Sequence, residues 1–525
     1  MKGQKKMKAK KIIVFLFGIF ITFCCKAEVK TDELQQLLAD RSMLQSSNIR
    51  FQKEVRNFYN YFHYKLAWIN PGSSSALNSL FVSFTSSKNL GLAEKDYQFK
   101  FIVDFKTGFL HLNNSRDSML VDIKITDAAI HFFSDIVDGN TKPVFGYNGL
   151  NYNPDCHNIA LLLADHLNAN KLTFLLKDIE PAFEEYKAFK NKIIEFNARI
   201  SDPDFKEVKI KSQKINIDNK AFFIKLHQLG FLDSVNQILS AEELKKKIKK
   251  VQRLFSLMDD GVIRSTVIDE MNVPLATRIK QLNLSINYVR WLQCCTQNKS
   301  SVVLNIPSAN LLVYQHGVIT LESKVIVGKS STHTPTLNSV INEVILYPYW
   351  QVPHKIAAKE LLPLIKRNVN YFDEGNYDVL NQEGKRVNPK NVNWYSLSAS
   401  YFPYTLRQST GCDNSLGIVK FNFENPFSVY LHDTPVKGLF DMNKRYFSHG
   451  CMRVEKAIEL AHLILKNNAV AIDTLTEKGC LLNQSPITVH ADEPMQLFVI
   501  YTTAWYYEGE VKFFEDVYDK MNFLK

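Results

Sequence analysis

Near the C-terminal end of the 525-residue chain, His432 stands in the run Tyr430-Leu431-His432-Asp433-Thr434, and Cys451 follows in Ser448-His449-Gly450-Cys451-Met452-Arg453-Val454. A thiolate is a strong nucleophile, and histidine is the side chain best suited to move a proton to or from it near neutral pH. Taken singly, each residue reads as a structural group in a core. Together they can carry nucleophilic chemistry, with Cys451 as candidate nucleophile and His432 as candidate base. Gly450 frees the backbone just before the cysteine, and the N–H groups of Gly450 and Cys451 are candidates for an oxyanion hole. Tyr430 lies two residues before His432, hence on the same strand face, where it can contact substrate. Arg453 carries a guanidinium suited to bidentate capture of a carboxylate, with a surface salt bridge as its structural alternative. His449 either orients the loop or shares in proton transfer. Asp433 is on the opposite strand face from His432, which leaves a backbone carbonyl as the candidate to orient the imidazole.

The flanking sequence says what holds these groups. Ile418 to Phe423 and Phe427 to His432 read as two strands joined by Glu424-Asn425-Pro426, so His432 falls at a strand end. After Cys451, residues Val454, Ile458, Ala461 and Leu465 recur at helical spacing, which predicts that the cysteine sits in a loop entering a helix N-terminus, where the helix dipole favours a thiolate. Upstream, Val302 to Ile306, Leu311 to Tyr314 and Val318 to Val327 are strand-like, with Gln315-His316-Gly317 as a tight turn between the last two. From Tyr347 to Trp394 the β pattern is interrupted by a stretch too long for a plain loop, which predicts a functional or mobile insertion. Two further strands flank a Glu508-Gly509 turn.

The N-terminal half is mostly helical. Leu34, Leu37 and Leu38 open an amphipathic helix, Thr126 is predicted to cap a helix over Asp127 to Val137 with Gly139 as its stop, and Asn158 to Leu167 is helical. Pro203 and the lysine-rich stretch from Lys206 to Lys214 suggest a boundary. Three short helices follow: Asn219 to Leu229 ending at Gly230, Leu244 to Met258 behind a Ser240–Glu243 capping box, and one from Ser265 or Thr266 to Asn272. Ala276 to Leu292 reads as a long amphipathic helix.

The formal net charge of +11 invites a nucleic-acid reading, but seven lysines and no acid fall in the first 27 residues, leaving 11 − 7 = +4 for the rest. No nucleic-acid partner is expected. That lysine-rich start, followed by an apolar run from Ile12 to Cys25, reads as a secretory signal over residues 1–27, with anchoring to the inner membrane left open. Beyond it Cys156, Cys294, Cys295, Cys412, Cys451 and Cys480 are too sparse for a disulfide framework, and the adjacent Cys294 and Cys295 read as a buried pair of small side chains. No metal site and no cofactor are expected, since neither a CxxC pair nor a histidine cluster occurs.

The HDT and SHGCMRV pattern resembles the active-site signature of the L,D-transpeptidases of bacterial cell walls, which have a YkuD-type catalytic domain. FYNYFHYKLAW, GLAEKDY and IEPAFEEYKAF resemble the N-terminal scaffold region of the large periplasmic members. Gln252, Phe255, Asp260, Gly261 and Thr266 resemble a peptidoglycan-binding module, with Arg264 where that family usually has glycine. The insertion resembles the substrate-capping subdomain, and FPYTLRQSTGCDNSLGIVKF the approach to the active site. The resemblance implies an α+β multidomain chain: a helical scaffold at 28–215, a peptidoglycan-binding-like module at 216–274, a linker helix at 275–297, a mainly β catalytic domain at 298–510 with a capping insertion at 354–400, and a C-terminal segment at 511–525. It implies a periplasmic enzyme that cross-links diaminopimelate residues of peptidoglycan stem peptides through a cysteinyl thioester and is acylated by carbapenems. An L,D-carboxypeptidase, an enzyme attaching proteins to the wall, or a non-catalytic wall-binding scaffold are the rival readings.

Overall fold

A computed structural model describes residues 31–524 except 71, 111, 150–155, 212–219, 467–471, 473–480 and 482–483. The predicted signal segment and Cys480 lie outside the described residues. Helices fill the N-terminal half and the C-terminal half is mainly β, as the hydrophobic periodicity requires.

Apolar side chains gather into three cores. The first is built from the N-terminal helices between Leu34 and Ile179. Its axis is the helix Ser115–Asp138, capped by the Asn114 side chain and ended at Gly139. Thr126, expected as an N-cap, instead lies mid-helix and buried: its hydroxyl donates to the Asp122 carbonyl and accepts the indole N–H of Trp68 at 2.9 Å. The buried carboxylate of Asp122 takes the backbone N–H groups of Ala67, Trp68 and Ile69. Polar residues that look like capping signals in the sequence are here satisfied by tertiary partners, so the helix runs through them.

The second core joins the helix Glu184–Ile200, the helices Lys220–Gln228, Ala241–Leu254 and Ser265–Asn272, and the β structure. The Ser240–Glu243 capping box is formed, with both reciprocal hydrogen bonds present. Leu275–Thr296, expected to be amphipathic, is buried on all sides. One flank of it serves the helical half: Arg290 donates to the Leu90 carbonyl at 2.7 Å and to the Tyr186 hydroxyl at 3.1 Å. The other serves the β half, where Ser285 donates to the Ala504 carbonyl at 2.7 Å.

The main sheet returns on itself, because the long strand Ile487–Ile500 pairs with both Ser301–Asn305 and Leu337–Leu346. Between those two run Asn310–Gln315, Val318–Gly328, Met452–Val454, Leu431–His432 and Val419–Phe423 in spatial order. The helical half adds Tyr147–Asn148 in parallel to Leu337–Leu346. Ala504–Tyr507 and Glu510–Phe513 form a separate hairpin, whose Glu508 and Gly509 both have positive φ as a two-residue turn demands.

The insertion has its own small core, including Phe372, Trp394 and Leu406, and its own four-stranded sheet, which begins at Trp350–Gln351 and returns at Thr405–Gln408. The cysteines differ from expectation. Cys156 and Cys294 form a disulfide across 138 positions, Cys412 is also disulfide-bonded, and Cys295 is a buried thiol outside any disulfide. Cys294 and Cys295 are therefore not a matched pair: consecutive side chains on a helix diverge, and one of them meets the segment carrying Cys156.

Candidate active site

Alternation along two very short strands sets the site. Leu431–His432 pairs in parallel with Met452–Val454, in the register Leu431 to Met452 and His432 to Arg453. Leu431 and Met452 are both 0% exposed and point into the core. Tyr430, His432, Cys451 and Arg453 therefore share the opposite face. On the other side Leu431–His432 pairs antiparallel with Val419–Phe423, and Lys420 stands directly opposite His432, on that same face. Its ammonium lies 4.3 Å from the centre of the Tyr430 ring.

Two local expectations change. The strand predicted over Phe427 to His432 is confined to Leu431–His432, because Asn425 Oδ1 accepts from the N–H groups of Phe427 and Val429 and holds a turn there. Cys451 does not lead into a helix. The strand Met452–Val454 follows it directly, and the helix starts only at Ala457, so its dipole is not aimed at the sulfur.

What surrounds the thiol is polar and cationic at close range but dry. Burial raises the Cys451 thiol above its usual pKa, opposed by hydrogen bonds from the Tyr430 backbone N–H and hydroxyl and by the charges of Lys420 and Arg453. Tyr430 thus sits on the sulfur itself. His432 is driven down to about 3, chiefly by burial and then by Arg453, with its Asp433 carbonyl contact opposing. That contact is a hydrogen bond of 2.5 Å from His432 Nδ1 to Asp433 O. A carbonyl only accepts, so Nδ1 carries the proton and Nε2 keeps a free lone pair. The Asp433 carboxylate faces away, accepting from the Ile418 N–H and pairing with Lys437.

Gly450 has φ +120°, and a Cβ there would stand 3.3 Å from the His333 carbonyl oxygen. Its N–H is not free for an oxyanion: it donates to Ser448 Oγ at 3.1 Å, and that hydroxyl donates on to the Cys451 carbonyl. Of the two N–H groups expected in the oxyanion hole, this leaves that of Cys451. His449 turns outward, where its Nε2 meets Glu360 Oε1 of the insertion at 2.7 Å. Arg453 is half-buried, and its Nε is buried with no hydrogen-bond partner. No carboxylate pairs with it among the described residues.

Lys420 and Glu360 escaped the sequence reading. Lys420 interrupts the apolar run Ile418 to Phe423 as the alternation of any half-buried strand allows, and only the cross-strand register brings it to His432. Glu360 lies on the insertion, with no sequence feature linking it to His449. Among the described residues, no group of histidine, cysteine, aspartate and glutamate side chains is placed to hold a metal ion.

Comparison with known proteins agrees with this geometry. Residues 299–472 match the YkuD L,D-transpeptidase catalytic domain, and residues 53–193 match a scaffold domain. A putative L,D-transpeptidase of Haemophilus influenzae is 35% identical over 292 residues, which is 54% of this chain. The chain spans 58% of that relative's length. Residues 299–472 are therefore similar to the YkuD L,D-transpeptidase catalytic domain, behind a stretch at 53–193 that is similar to a scaffold domain.

Proposed function

We propose that this protein is a cysteine-dependent peptidoglycan L,D-transpeptidase joining diaminopimelate residues of neighbouring stem peptides. The observation that carries the reading is the single strand face holding Tyr430, His432, Cys451 and Arg453. As Cys451 attacks the donor carbonyl, its proton passes to His432 Nε2, which the Asp433 carbonyl leaves unprotonated. The Cys451 N–H holds the oxyanion. Tyr430 and Lys420 steady the sulfur's developing charge. Collapse breaks the donor amide, His432 returns the proton to the departing D-amino acid, and a thioester remains. The acceptor amine then attacks, giving its proton to His432. A new amide forms and the thiol is released.

Arg453 receives a stem-peptide carboxylate; its buried Nε without a hydrogen-bond partner among the described residues supports that role. Export behind the 1–27 segment to the periplasm fits the Cys156–Cys294 disulfide, which requires an oxidising compartment. Among the described residues no helix is long and apolar enough to cross a membrane, so any anchoring would rest on the first 27 residues. Within this reading the module, whose helices from Lys220 on share the second core with the β structure, binds glycan strands.

Cys451→Ser tests the assignment. The hydroxyl is near-isosteric but far harder to ionise, so the variant should keep its unfolding midpoint and lose turnover by at least about three decades. A carbapenem should add its mass to wild-type Cys451 alone. Turnover by folded Cys451→Ser at the wild-type rate would overturn the reading.

A further inference from the structure

We propose that Thr334 is a positioning residue for the oxyanion site: its hydroxyl sets the plane of the Gly450–Cys451 peptide so that the Cys451 N–H faces the reacting carbonyl. The inference rests on Cys451 being the nucleophile. Thr334 is 0% exposed and lies behind the loop that carries the cysteine. Its Oγ1 accepts the Gly328 N–H at 2.8 Å and lies 2.8 Å from the Gly450 carbonyl oxygen. A hydroxyl has one hydrogen, and a carbonyl only accepts, so that hydrogen is committed to Gly450 O. In a planar trans peptide the C=O and the following N–H point to opposite sides. Pinning the Gly450 carbonyl inward on Thr334 therefore turns the Cys451 N–H outward. The pin is needed because Gly450, at φ +120°, is in a region where the backbone is otherwise soft.

Thr334 is itself held from the C-terminal segment. The Tyr518 hydroxyl accepts the Thr334 N–H at 3.1 Å and donates to the Gly328 carbonyl at 2.5 Å. The Tyr518 ring stacks on His333 at 4.0 Å between centroids. On the neighbouring turn, Thr332 Oγ1 and the Lys329 N–H both bond the Ser448 carbonyl, at 3.0 and 3.1 Å. The loop is thus gripped at Ser448 and at Gly450, and only the second grip sets the Cys451 N–H.

Two reagents separate this role from a general disturbance of the thiol. Acylation by a carbapenem passes through a tetrahedral oxyanion, whereas alkylation by iodoacetamide does not. Both are timed by intact-mass spectrometry on the full mature chain. Thr334→Val should slow acylation of Cys451 by roughly ten- to a hundredfold, at or below the loss of one whole oxyanion donor, and leave alkylation within about twofold of wild type. Thr334→Ser, which restores the hydroxyl, should recover most of the acylation rate. If Thr334→Val does not fold, Tyr518→Phe loosens the same brace and should lower the acylation-to-alkylation ratio severalfold. A ratio unchanged in the folded variants would overturn the inference, as would equal loss of both rates. Failure of wild-type Cys451 to be acylated while it is readily alkylated would instead overturn the functional reading, and the inference with it.

Discussion

At Cys451 the contest is between a dry surrounding, which favours the neutral thiol, and the Tyr430 hydrogen bonds with the Lys420 and Arg453 charges, which favour the thiolate; burial wins. His432, at about 3, is neutral throughout the working range. Both directions favour a neutral thiol beside a neutral imidazole, and under the proposed function the proton would then move during attack and not before it. The sign for pH follows from the raised thiol. Thiolate content is low at neutral pH and grows as pH rises through and past the ordinary thiol value of about 8.5. Iodoacetamide alkylation of Cys451 should accordingly keep rising above that pH, with no plateau between pH 5 and 7. A plateau there would mean a preformed thiolate–imidazolium pair. Tyr430 and His432 could be placed on one face from sequence because residues two apart on a strand share a face, whereas Cys451 and Arg453 were singled out by residue type and motif, without the strand that puts them on that face. Lys420 and Thr334 were not legible, since the register and the turn that bring them in are fixed by distant strands.

The insertion, expected to be functional or mobile, reaches the site through a contact that its own sequence does not declare. Its separate core lets it fold as a unit, tethered to the sheet through its first and last strands. From it a π-helical turn over Ala357–Leu361 presents Glu360 to His449, two residues before Cys451. A cover closed by this contact would shield the thioester from water. Replacing residues 354–393 by a short flexible bridge should leave the sheet folded and lower the ratio of cross-linked to hydrolysed product by roughly tenfold. Glu360→Ala should lower it less, by about two- to fivefold, because a half-exposed ion pair is worth about 0.2–1 kcal/mol. Chromatography of the products from each variant reads the ratio directly, and an unchanged ratio in both would make the insertion ornamental. The strands Ser301–Asn305, Asn310–Gln315, Val318–Gly328 and Val419–Phe423 and the Glu508-Gly509 hairpin could be read from alternation and turn residues, as could the Ser240 capping box, but the long strands Leu337–Leu346 and Ile487–Ile500 could not. Thr126 and the helix expected after Cys451 misled for one reason: a local pattern states a preference, and buried partners or a neighbouring strand decide.

Across the whole molecule the helical half is wired into the β half and not merely appended to it. The largely buried helix Leu275–Thr296 serves both cores, Tyr147–Asn148 extends the sheet, and the Cys156–Cys294 disulfide fastens the segment beyond that strand to the same helix. None of these links has a signature in the sequence. The disulfide joins residues 138 positions apart, beyond the reach of any spacing rule, and the helix looked amphipathic because its polar residues are buried against two separate partners. The central claim concerns what this assembly makes, and mass spectrometry of defined disaccharide-tetrapeptide muropeptides incubated with the mature chain tests it most directly. The account predicts a dimer lighter than two monomers by one D-amino acid, formed by the wild type and absent with Cys451→Ser. A dimer formed equally by both, or only a shortened tripeptide from the wild type even with excess acceptor, would contradict it.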